Sequence, residues 1–547
     1  WRLQSYSVTK MPAYCDEGSG PHCYTFSILC QDAPLFVHPQ PESDPTHIAK
    51  EMNVPAPIRP FAFGKHPEIY YGHDLSLAIW AEGWAGAVAD QPVPVEQLIP
   101  ADLSGWTYVT PLNFIAVDPV LGRIAFPPGQ LPKKGVRVSY RYGFPADVGG
   151  GEYARTLLQP TEKCTVYRVG EQQKYHHIRG ALKQWKHDKP LNAIIEIVAS
   201  AVYVEQLNIT LIDNQSLHIR AANCTRPVLH MLDWKSDLPD ALTVTLGTGS
   251  RLTLDGLLIS GRPLQIQGAE KKDKETPNAA DQAVQNQGAV SPGNSNGVCP
   301  AQVVIRHCTL VPGWEIDCDC EPTRPAEPSL ELTNVRARVC IEHSIVGAIQ
   351  IQEDEVLLDP IPVEISDSIV DATDITRRAI SAPGDTWAHA VLSIKRSTVF
   401  GIVDVHAMQL GENSIFTSCV NVARRQLGCM RYCYVPAGCR TPKRYHCQPD
   451  GVIAAVKAKH LGSIKQETEI GNEKLRVMPQ FTSDRYGNPA YGQLATTCAD
   501  EIKRGADDES EMGAYHDLFQ PQREANLKQR LEEYTPAGMD VGIFFVN

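Results

Sequence analysis

The sequence predicts a mainly β protein whose centre is a right-handed parallel β-helix, a solenoid of stacked strand coils. Three observations predict this fold. Short β-branched strands recur between about 193 and 423. Five of these strands fit one residue template. An amphipathic helix stands just before the first of them, where β-helices need a cap over unpaired strand groups. A β-rich N-terminal domain and a C-terminal segment with helices flank this centre.

The template is an aliphatic residue, two variable residues, a small or polar residue, one variable residue, and one or two apolar residues. Parallel strands lie about 4.8 Å apart, so equivalent positions form columns along the coil axis. We expect the aliphatic column to lie inside, the small column at a tight inward corner, and the two columns between them to face outward. The aliphatic column is Ile305, Ile341, Ile365, Ile394 and Leu410, and the small column is Cys308, Ser344, Ser368, Ser397 and Asn413. The segment 254–259 fits more loosely.

Residues 1–150 predict a separate N-terminal β-rich domain, with many prolines and short alternating runs. A hairpin is expected over 115–126, with its turn at 119–122. The glycine triplet 149–151 indicates a hinge or domain boundary. Such a triplet can also cradle a phosphate, but no helix opening with Lys-Ser/Thr follows it.

The segment 151–192 is predicted to be a linker and a capping helix. Ile178, Leu182 and Trp185 lie on one face of a helix over 177–186 because their spacings are four and three residues. The parallel β-helix is expected over 193–423. It carries a polar insert at 268–297, which has too few aliphatic residues to fold alone in water.

Residues 424–547 are predicted to form a Cys-rich segment and a partly helical attachment region. The clearest helix covers 524–534, with Leu527 and Leu531 on one face. The final apolar stretch, 542–546, has the character of a short strand that docks on a sheet.

Composition limits the classes of partner. The net charge is −12, which argues against nucleic acid as a partner. No apolar run approaches the roughly 20 residues that cross a bilayer, so no membrane span is predicted. We expect protein partners or self-association, with surface carbohydrate as a further ligand class.

Cysteines supply the first candidate site. Cys429, Cys433, Cys439 and Cys447 lie close together in the sequence, with His446 adjacent. Four thiolates bind zinc, but the spacings lack the CxxC pairs of zinc sites, so disulfides and free structural thiols stay open as alternatives. An acidic loop with Asp317, Asp319 and Glu321 is a calcium candidate, and a solvated loop is the alternative. No other cofactor is expected.

Carboxylates supply the second candidate site, because many polysaccharide hydrolases place two of them about 5–9.5 Å apart. The two predicted outward columns mix charge signs and show no carboxylate pair on neighbouring coils, which is typical of a salt-bridged surface. The columns are Arg306, Glu342, Ser366, Lys395, Gly411 and His307, His343, Asp367, Arg396, Glu412. The weak catalytic candidates are Asp371, Asp374, Glu353 and Asp317, which lie in loops.

Three parts of the chain resemble a family of bacterial right-handed parallel β-helix (pectin-lyase-like) proteins: residues 192–234, the coils after them, and above all the motif at 498–512 and 520–527. The resemblance covers most of the chain. It implies an association with phage-tail-like, contractile-injection-type gene clusters, and hence a bacterial particle or cell-surface location. It implies no catalytic residue.

The sequence therefore favours a non-enzymatic structural or surface-binding protein, adhesive and spike- or fibre-like. A regular core without an assembled reactive constellation is the reason for that expectation. A polysaccharide-active lyase or hydrolase is one alternative, and a self-assembling filament subunit is another.

Overall fold

The computed structural model describes residues 2–42, 50–84, 90–159, 163–231, 241–268, 300–356, 358–459 and 462–543. Within these residues the protein is mainly β, and long all-parallel sheets of 18 and 8 strands fit a parallel β-helix. The predicted polar insert, apart from residue 268, and positions 544–546 of the predicted final strand lie outside the described residues.

The parallel strands form three ladders, because most strands pair with the third strand before and after them. The 18-stranded set contains two ladders, which join at the long strand Ile402–Glu412. We call the whole parallel region, 165–445, the β stack.

The described strands of the β stack are grouped here by ladder. The first ladder contains Thr165–Val169, Asn192–Ile197, Ser216–Ala221, Arg251–Asp255, Ala301–Arg306, Ala337–Glu342, Ile361–Ser366, Ala388–Lys395, the end of Ile402–Glu412, Cys429–Arg431 and Lys443–Tyr445. The second contains Val202–Val204, Val228–His230, Leu258–Ser260, Thr309–Leu310, Ile345–Gly347, Ile369–Asp371, Thr398–Phe400 and Ile415–Phe416. The third contains Asn208–Thr210, Leu242–Leu246, Leu264–Gly268, Leu330–Thr333, Ile349–Gln352, Arg378–Ser381, the start of Ile402–Glu412 and Val420–Val422.

The predicted aliphatic column is confirmed for four of its five members. These four pair in register in the first ladder and are each 1% exposed or less: Ile305, Ile341, Ile365 and Ile394. The fifth member is wrong by one residue. Gly411, not Leu410, pairs with Ile394, because the register shifts between Leu392 and Ser393.

The small column forms a continuous chain of hydrogen bonds inside the β stack. Each Ser Oγ accepts the N–H of the equivalent residue one coil earlier and donates to the carbonyl two residues before itself. The N-to-Oγ distances along the chain are 3.1, 3.0, 3.2 and 3.2 Å. Its members are Cys308, Ser344, Ser368, Ser397 and Ser414. The predicted fifth member, Asn413, is therefore wrong by one position, as in the aliphatic column.

The second ladder is apolar on both faces. Its inward side chains belong to the main core, and its outward side chains are covered by the regions before and after the β stack. Val228 and Leu258 pack in the N-terminal core, and Ile345 and Ile369 pack with Tyr6 and with residues of the C-terminal region. Ile415 packs with further residues of the C-terminal region. Both flanking regions thus lie over the same ladder.

The N-terminal region contains two small sheets. An antiparallel sheet orders Gln4–Pro12, Val136–Phe144 and Ala78–Ala81. A second sheet orders Tyr14–Cys15, Cys23–Thr25, Arg123–Ala125, Ile115–Asp118 and Leu98–Pro100. The predicted hairpin is confirmed, since Asp118 pairs with Arg123 in antiparallel register. Helix α1 is Pro60–Lys65, and the short 3₁₀ turns of the described chain are Glu51–Asn53, Pro67–Ile69, Val95–Gln97, Ser104–Trp106 and His516–Leu518.

The glycine triplet is not a free hinge. Gly149 donates its N–H to the His343 carbonyl at 2.8 Å, and Gly150 donates to Thr309 Oγ1 at 3.0 Å. A Cβ on Gly150 would lie 2.8 Å from the Leu257 carbonyl oxygen. The triplet therefore forms a tight seam against the β stack, and only glycine permits that approach.

Helix α2, Ile178–Asp188, confirms the helix predicted over 177–186. Ile178, Leu182 and Trp185 are buried against the first strands of the first ladder. The Glu205 carboxylate accepts the N–H groups of Ile178 and Arg179 at 3.0 and 2.7 Å, which satisfies the start of the helix. One strand, Thr165–Val169, precedes the helix within the segment that was predicted to be a linker.

The C-terminal region contains α3 (Asp450–Ala458), α4 (Ser463–Arg476), α5 (Asp500–Lys503) and α6 (Gln520–Tyr534). The predicted helix 524–534 is confirmed within α6. In the described part of the chain, no helix has both the length and the apolar character to cross a membrane.

Candidate functional site

Two of the four candidate carboxylates lie in one cleft. Asp371 ends a strand of the second ladder, and Asp374 follows it in the next turn. Glu321, Asp484 and Arg485 line the same cleft, whose volume is about 300 Å³. Four acidic side chains and one basic side chain thus converge between the β stack and the C-terminal region.

Hydrogen bonds already occupy both carboxylates. Asp371 accepts the Thr373 N–H at 2.7 Å and the Tyr491 hydroxyl at 2.6 Å. Burial raises its pKa to about 6. Asp374 accepts the N–H and hydroxyl of Thr376 at 2.7 and 2.6 Å, and these bonds lower its pKa. Each carboxylate therefore holds its own turn together, and Asp371 also ties the C-terminal region to the β stack.

The other two candidates do not line this cleft. Glu353 follows a strand of the third ladder and accepts the Val335 N–H at 2.8 Å. Burial raises the pKa of Glu353 to about 7. Asp317 accepts the N–H groups of Asp319 and Glu321, each at 2.9 Å, within its own loop. Both carboxylates stabilise turns.

The chemistry open to the cleft is proton transfer or cation binding. Asp371 carries a proton at mildly acidic pH, as a general acid requires. However, Asp371 is only 4% exposed, and its Oδ2 accepts the hydrogen bond from the Tyr491 hydroxyl. Arg485 pairs with Glu321 at 2.7 Å, which neutralises one wall of the cleft.

A second concave surface lies on the outer face of the first ladder. This groove, about 480 Å³, is lined by residues that include Arg338, Glu364, Ser366 and Lys395. Arg338 pairs with Glu364 at 2.6 Å. The first outward column mixes charge signs as predicted, except that Glu412 replaces Gly411 opposite Lys395.

The second predicted outward column is not a solvated face. Its residues occupy the left-handed region of backbone space at a sharp corner, with φ between 43° and 52°. Four predicted members lie at this corner: His307, His343, Asp367 and Arg396. The fifth, Glu412, is wrong by one position, because Glu412 pairs with Lys395 and Asn413 occupies the corner. Tyr432 and His446 continue the column. His307 and Asp367 are only 9% and 5% exposed, because neighbouring regions pack over this corner.

The C-terminal motif docks on this corner. Gly513 donates its N–H to the Asn413 carbonyl at 2.8 Å, and Asn413 donates its side-chain amide to Asp507 at 2.6 Å. Arg396 binds both oxygens of Asp367 at 2.6 and 2.7 Å and lies 3.7 Å from Asp517. The C-terminal region around the motif that carried the family resemblance, 498–512, therefore packs on the β stack of its own chain.

Two groups of metal-ligating side chains lie at this docked corner. Among the described residues, the clustered sets are His343, Asp367, Asp517 and Asp507, Asp508, His516. Arg396 contacts the two carboxylates of the first set. In the second set, His516 lies 3.3 Å from Asp508, and its other ring nitrogen lies 3.1 Å from Asp517. Against the opposing effect of burial, these carboxylates raise the pKa of His516. An internal cation, Arg396, already lies beside the first set.

The four candidate cysteines do not form one cluster: Cys433 and Cys447 lie together, Cys439 lies beside Cys419, and Cys429 is half-buried at the start of its own strand. Cys439 Sγ lies 2.7 Å from Cys419 Sγ. Cys433 and Cys447 share a hydrogen bond and continue the small column of the β stack. Burial and this hydrogen bond raise the pKa of Cys433, and the same bond lowers the pKa of Cys447. Within the described ranges, no group of three metal-ligating side chains includes a cysteine or a member of the Asp317 loop.

Sequence reasoning missed the covered second ladder and the docked corner. For the second ladder, the adjacent apolar residues at the end of each template were the available signal. A strand that is buried on both faces lacks the alternation of apolar and polar residues. The corner joins residues about 100 or more positions apart, such as Asn413 and His516, and no local pattern contains that information.

No protein-family model matches this chain, and no curated protein matches it. The association with phage-tail-like gene clusters therefore rests on the sequence resemblance alone.

Proposed function

We propose that this chain is a non-enzymatic structural or surface-binding protein of a bacterial particle or cell surface, built on a right-handed parallel β-helix. The right hand is supported by the general rule that about 98% of parallel crossovers are right-handed. One observation carries the proposed role. Both flanking regions cover the second ladder, while the charged groove of the first ladder stays open.

The hydrogen bonds of the candidate carboxylates support a non-enzymatic role. Asp371, Asp374, Glu353 and Asp317 all accept backbone N–H groups of turns. A general base needs a lone pair directed at the substrate, and a general acid needs a proton within reach of it. Bonds to the protein's own turns and to Tyr491 compete with both requirements.

The open groove suits a polar, extended ligand. Its side chains carry charges of both signs, and the exposed pair of Arg338 and Glu364 can exchange its partners for hydroxyl groups. Strand spacing in the first ladder places a row of side chains at a regular interval from coil to coil. A surface polysaccharide or an extended protein segment matches that repetition.

Binding of the full chain to immobilised bacterial surface polysaccharides and to intact cells tests the proposal. The double variant R338Q/E364Q keeps the net charge and removes a surface pair that is worth about 0–1 kcal/mol of stability. We expect it to weaken binding at least fivefold. The control K528Q/E524Q removes a similar exposed pair on α6 and should bind as the wild type does. Absence of wild-type binding to every surface would contradict a surface-binding role.

The acidic cleft favours one second candidate, a polysaccharide-active enzyme. Asp371 and Asp374 share that cleft, and an acid with a pKa of about 6 is suited to protonate a leaving group. Release of reducing ends or unsaturated products from a polysaccharide, lost in both D371N and D374N, would establish the enzyme and overturn the non-enzymatic role.

Self-assembly into a filament is the other alternative that the sequence leaves open. Light scattering after size-exclusion chromatography distinguishes it. A clean monomer at micromolar concentration would count against the filament.

A further inference from the structure

A small cavity lies where the three regions of the molecule meet. The N-terminal sheet contributes Tyr140, the β stack contributes Arg226 and Thr309, and the C-terminal region contributes Tyr486. The cavity volume is about 60 Å³, which by the usual allowance of 10–15 Å³ holds about four waters or one small acid group. It is distinct from the acidic cleft and from the groove of the first ladder, although Tyr486 also borders the cleft.

Arg226 is the charged group of this cavity, and it is only 8% exposed. Among the described residues, no carboxylate lies within 4.0 Å of its guanidinium, and its Nε has no hydrogen-bond partner. The guanidinium lies 5.3 Å from the Tyr142 ring and contacts the Tyr140 hydroxyl, both uncharged groups. A buried cation without an anion is costly, and proteins normally pair it.

The carboxylate that acts on Arg226 from a distance, Glu152, is committed elsewhere. Its oxygens accept hydrogen bonds from the hydroxyl groups of Ser7, Thr9 and Ser200 and from the Thr9 N–H. Four donors thus hold Glu152 at the edge of the N-terminal sheet. The cavity keeps a net positive charge.

We propose that this cavity binds the acid group of a small carboxylate, with Arg226 as its ion-pair partner. A single guanidinium matches a single negative charge, whereas a phosphate dianion would leave one charge uncompensated in a buried place. The phenol groups of Tyr140 and Tyr486 offer further donors, and Phe26 and Phe144 supply apolar walls. A bound carboxylate would join the three regions at one point and stabilise their seam.

Isothermal titration of the full chain with acetate tests the site, with acetamide as the neutral isostere and inorganic phosphate as the dianion. We expect acetate to bind and to raise the melting temperature. Acetamide and phosphate should each bind at least tenfold more weakly. The variant R226Q should lose acetate binding at least tenfold. The control R220Q removes an equally buried arginine that already pairs with Glu196 at 2.7 Å, and it should bind acetate unchanged.

Three outcomes would overturn the site. Equal binding of acetate by R226Q and the wild type would show that Arg226 is not the partner. Phosphate binding as tight as acetate binding would overturn the choice of a monoanion. If acetate raised the melting temperature no more than chloride does at the same ionic strength, the stabilisation would be charge screening by salt, not binding at this site. If R226Q does not fold, the comparison of acetate with acetamide on the wild-type chain still decides between ion pairing and its absence.

Discussion

In the small column of the β stack, a single serine side chain can link two neighbouring coils. Ser368 Oγ donates to the Ser366 carbonyl at 2.6 Å and accepts the Ser344 N–H at 3.0 Å. It links neighbouring coils where the backbone turns and has no ladder partner. The small column was predictable from residue size, but its last member, Ser414, depended on the register shift between Leu392 and Ser393.

Replacing Ser368 with alanine should lower the free energy of unfolding by about 1–3 kcal/mol, because the buried Ser344 N–H loses its acceptor. Urea denaturation followed by circular dichroism measures the change. S393A, at a half-buried position on the outer face of the first ladder, is the matched control and should change stability by less than about 0.5 kcal/mol. S368C should cost less than S368A, since cysteine occupies the equivalent position at Cys308. Equal stability of S368A and the wild type would mean that the chain contributes nothing.

Glu511 gives the clearest pH dependence at the residue scale. Burial raises its pKa from 4.5 to about 8, against the opposing effect of Arg2 and His516. Its contribution to stability is therefore complete below pH 4.5, where the folded and unfolded states are both protonated. It is lost as the pH rises through about 8, because the folded state must then bury a charge.

Between pH 5 and pH 9, the free energy of unfolding of the wild type should fall by on the order of 3 kcal/mol relative to that of E511Q. The glutamine of E511Q stays neutral throughout this range. Denaturant titrations at five pH values measure that difference. E509Q, two residues earlier and exposed, is the control and should follow the wild-type curve. Parallel curves for E511Q and the wild type would show that Glu511 ionises freely in the folded protein.

At the scale of elements, α2 was the most predictable part of the fold. The helix needs only its own spacing of Ile178, Leu182 and Trp185 to define a buried face. The C-terminal coils of the β stack were not predictable. Strands such as Cys429–Arg431 and Lys443–Tyr445 have three residues each, too few to show alternation, and their cysteines suggested a separate segment.

The variant W185A should test how much the β stack depends on this helix. Trp185 is 1% exposed, so its truncation should cost about 3–5 kcal/mol. A loosened helix would expose the first strand edge, and we expect aggregation at lower temperature than for the wild type. Thermal melting with light scattering measures both effects. K183A, on the exposed face of the same helix, should behave as the wild type does; aggregation of both variants alike would argue against a capping role.

At the scale of the whole molecule, the important sites lie at the interfaces between the β stack and the two flanking regions, which we call seams. The acidic cleft, the docked corner and the Arg226 cavity all lie at such seams, so each unites residues that are far apart in the sequence. The sequence could predict which carboxylates were candidates, and it brought Asp371 and Asp374 together because they are neighbours. It could not place Asp484 or Arg485 opposite them, because only the packing of the C-terminal region does so.

A methyl group at Gly150 should open the seam. Its Cβ would lie 2.8 Å from a backbone oxygen that cannot move aside. We expect G150A to lower stability by about 1–3 kcal/mol and to increase proteolytic cleavage of residues 151–159. G129A meets nothing within 4 Å and is the control, with a change of less than about 1 kcal/mol. Cleavage at the wild-type rate in G150A would mean that the regions do not depend on this contact.

The contact between the N-terminal segment and the C-terminal region has a consequence for biosynthesis. The Gln493 side-chain amide donates to the Arg2 carbonyl at 2.9 Å, and the Arg2 guanidinium binds the Leu494 carbonyl. A ribosome delivers residue 2 almost 500 residues before its partner. During that interval the apolar outer side chains of the second ladder that the C-terminal region later covers are exposed to water. A chaperone would prevent aggregation most effectively at this stage.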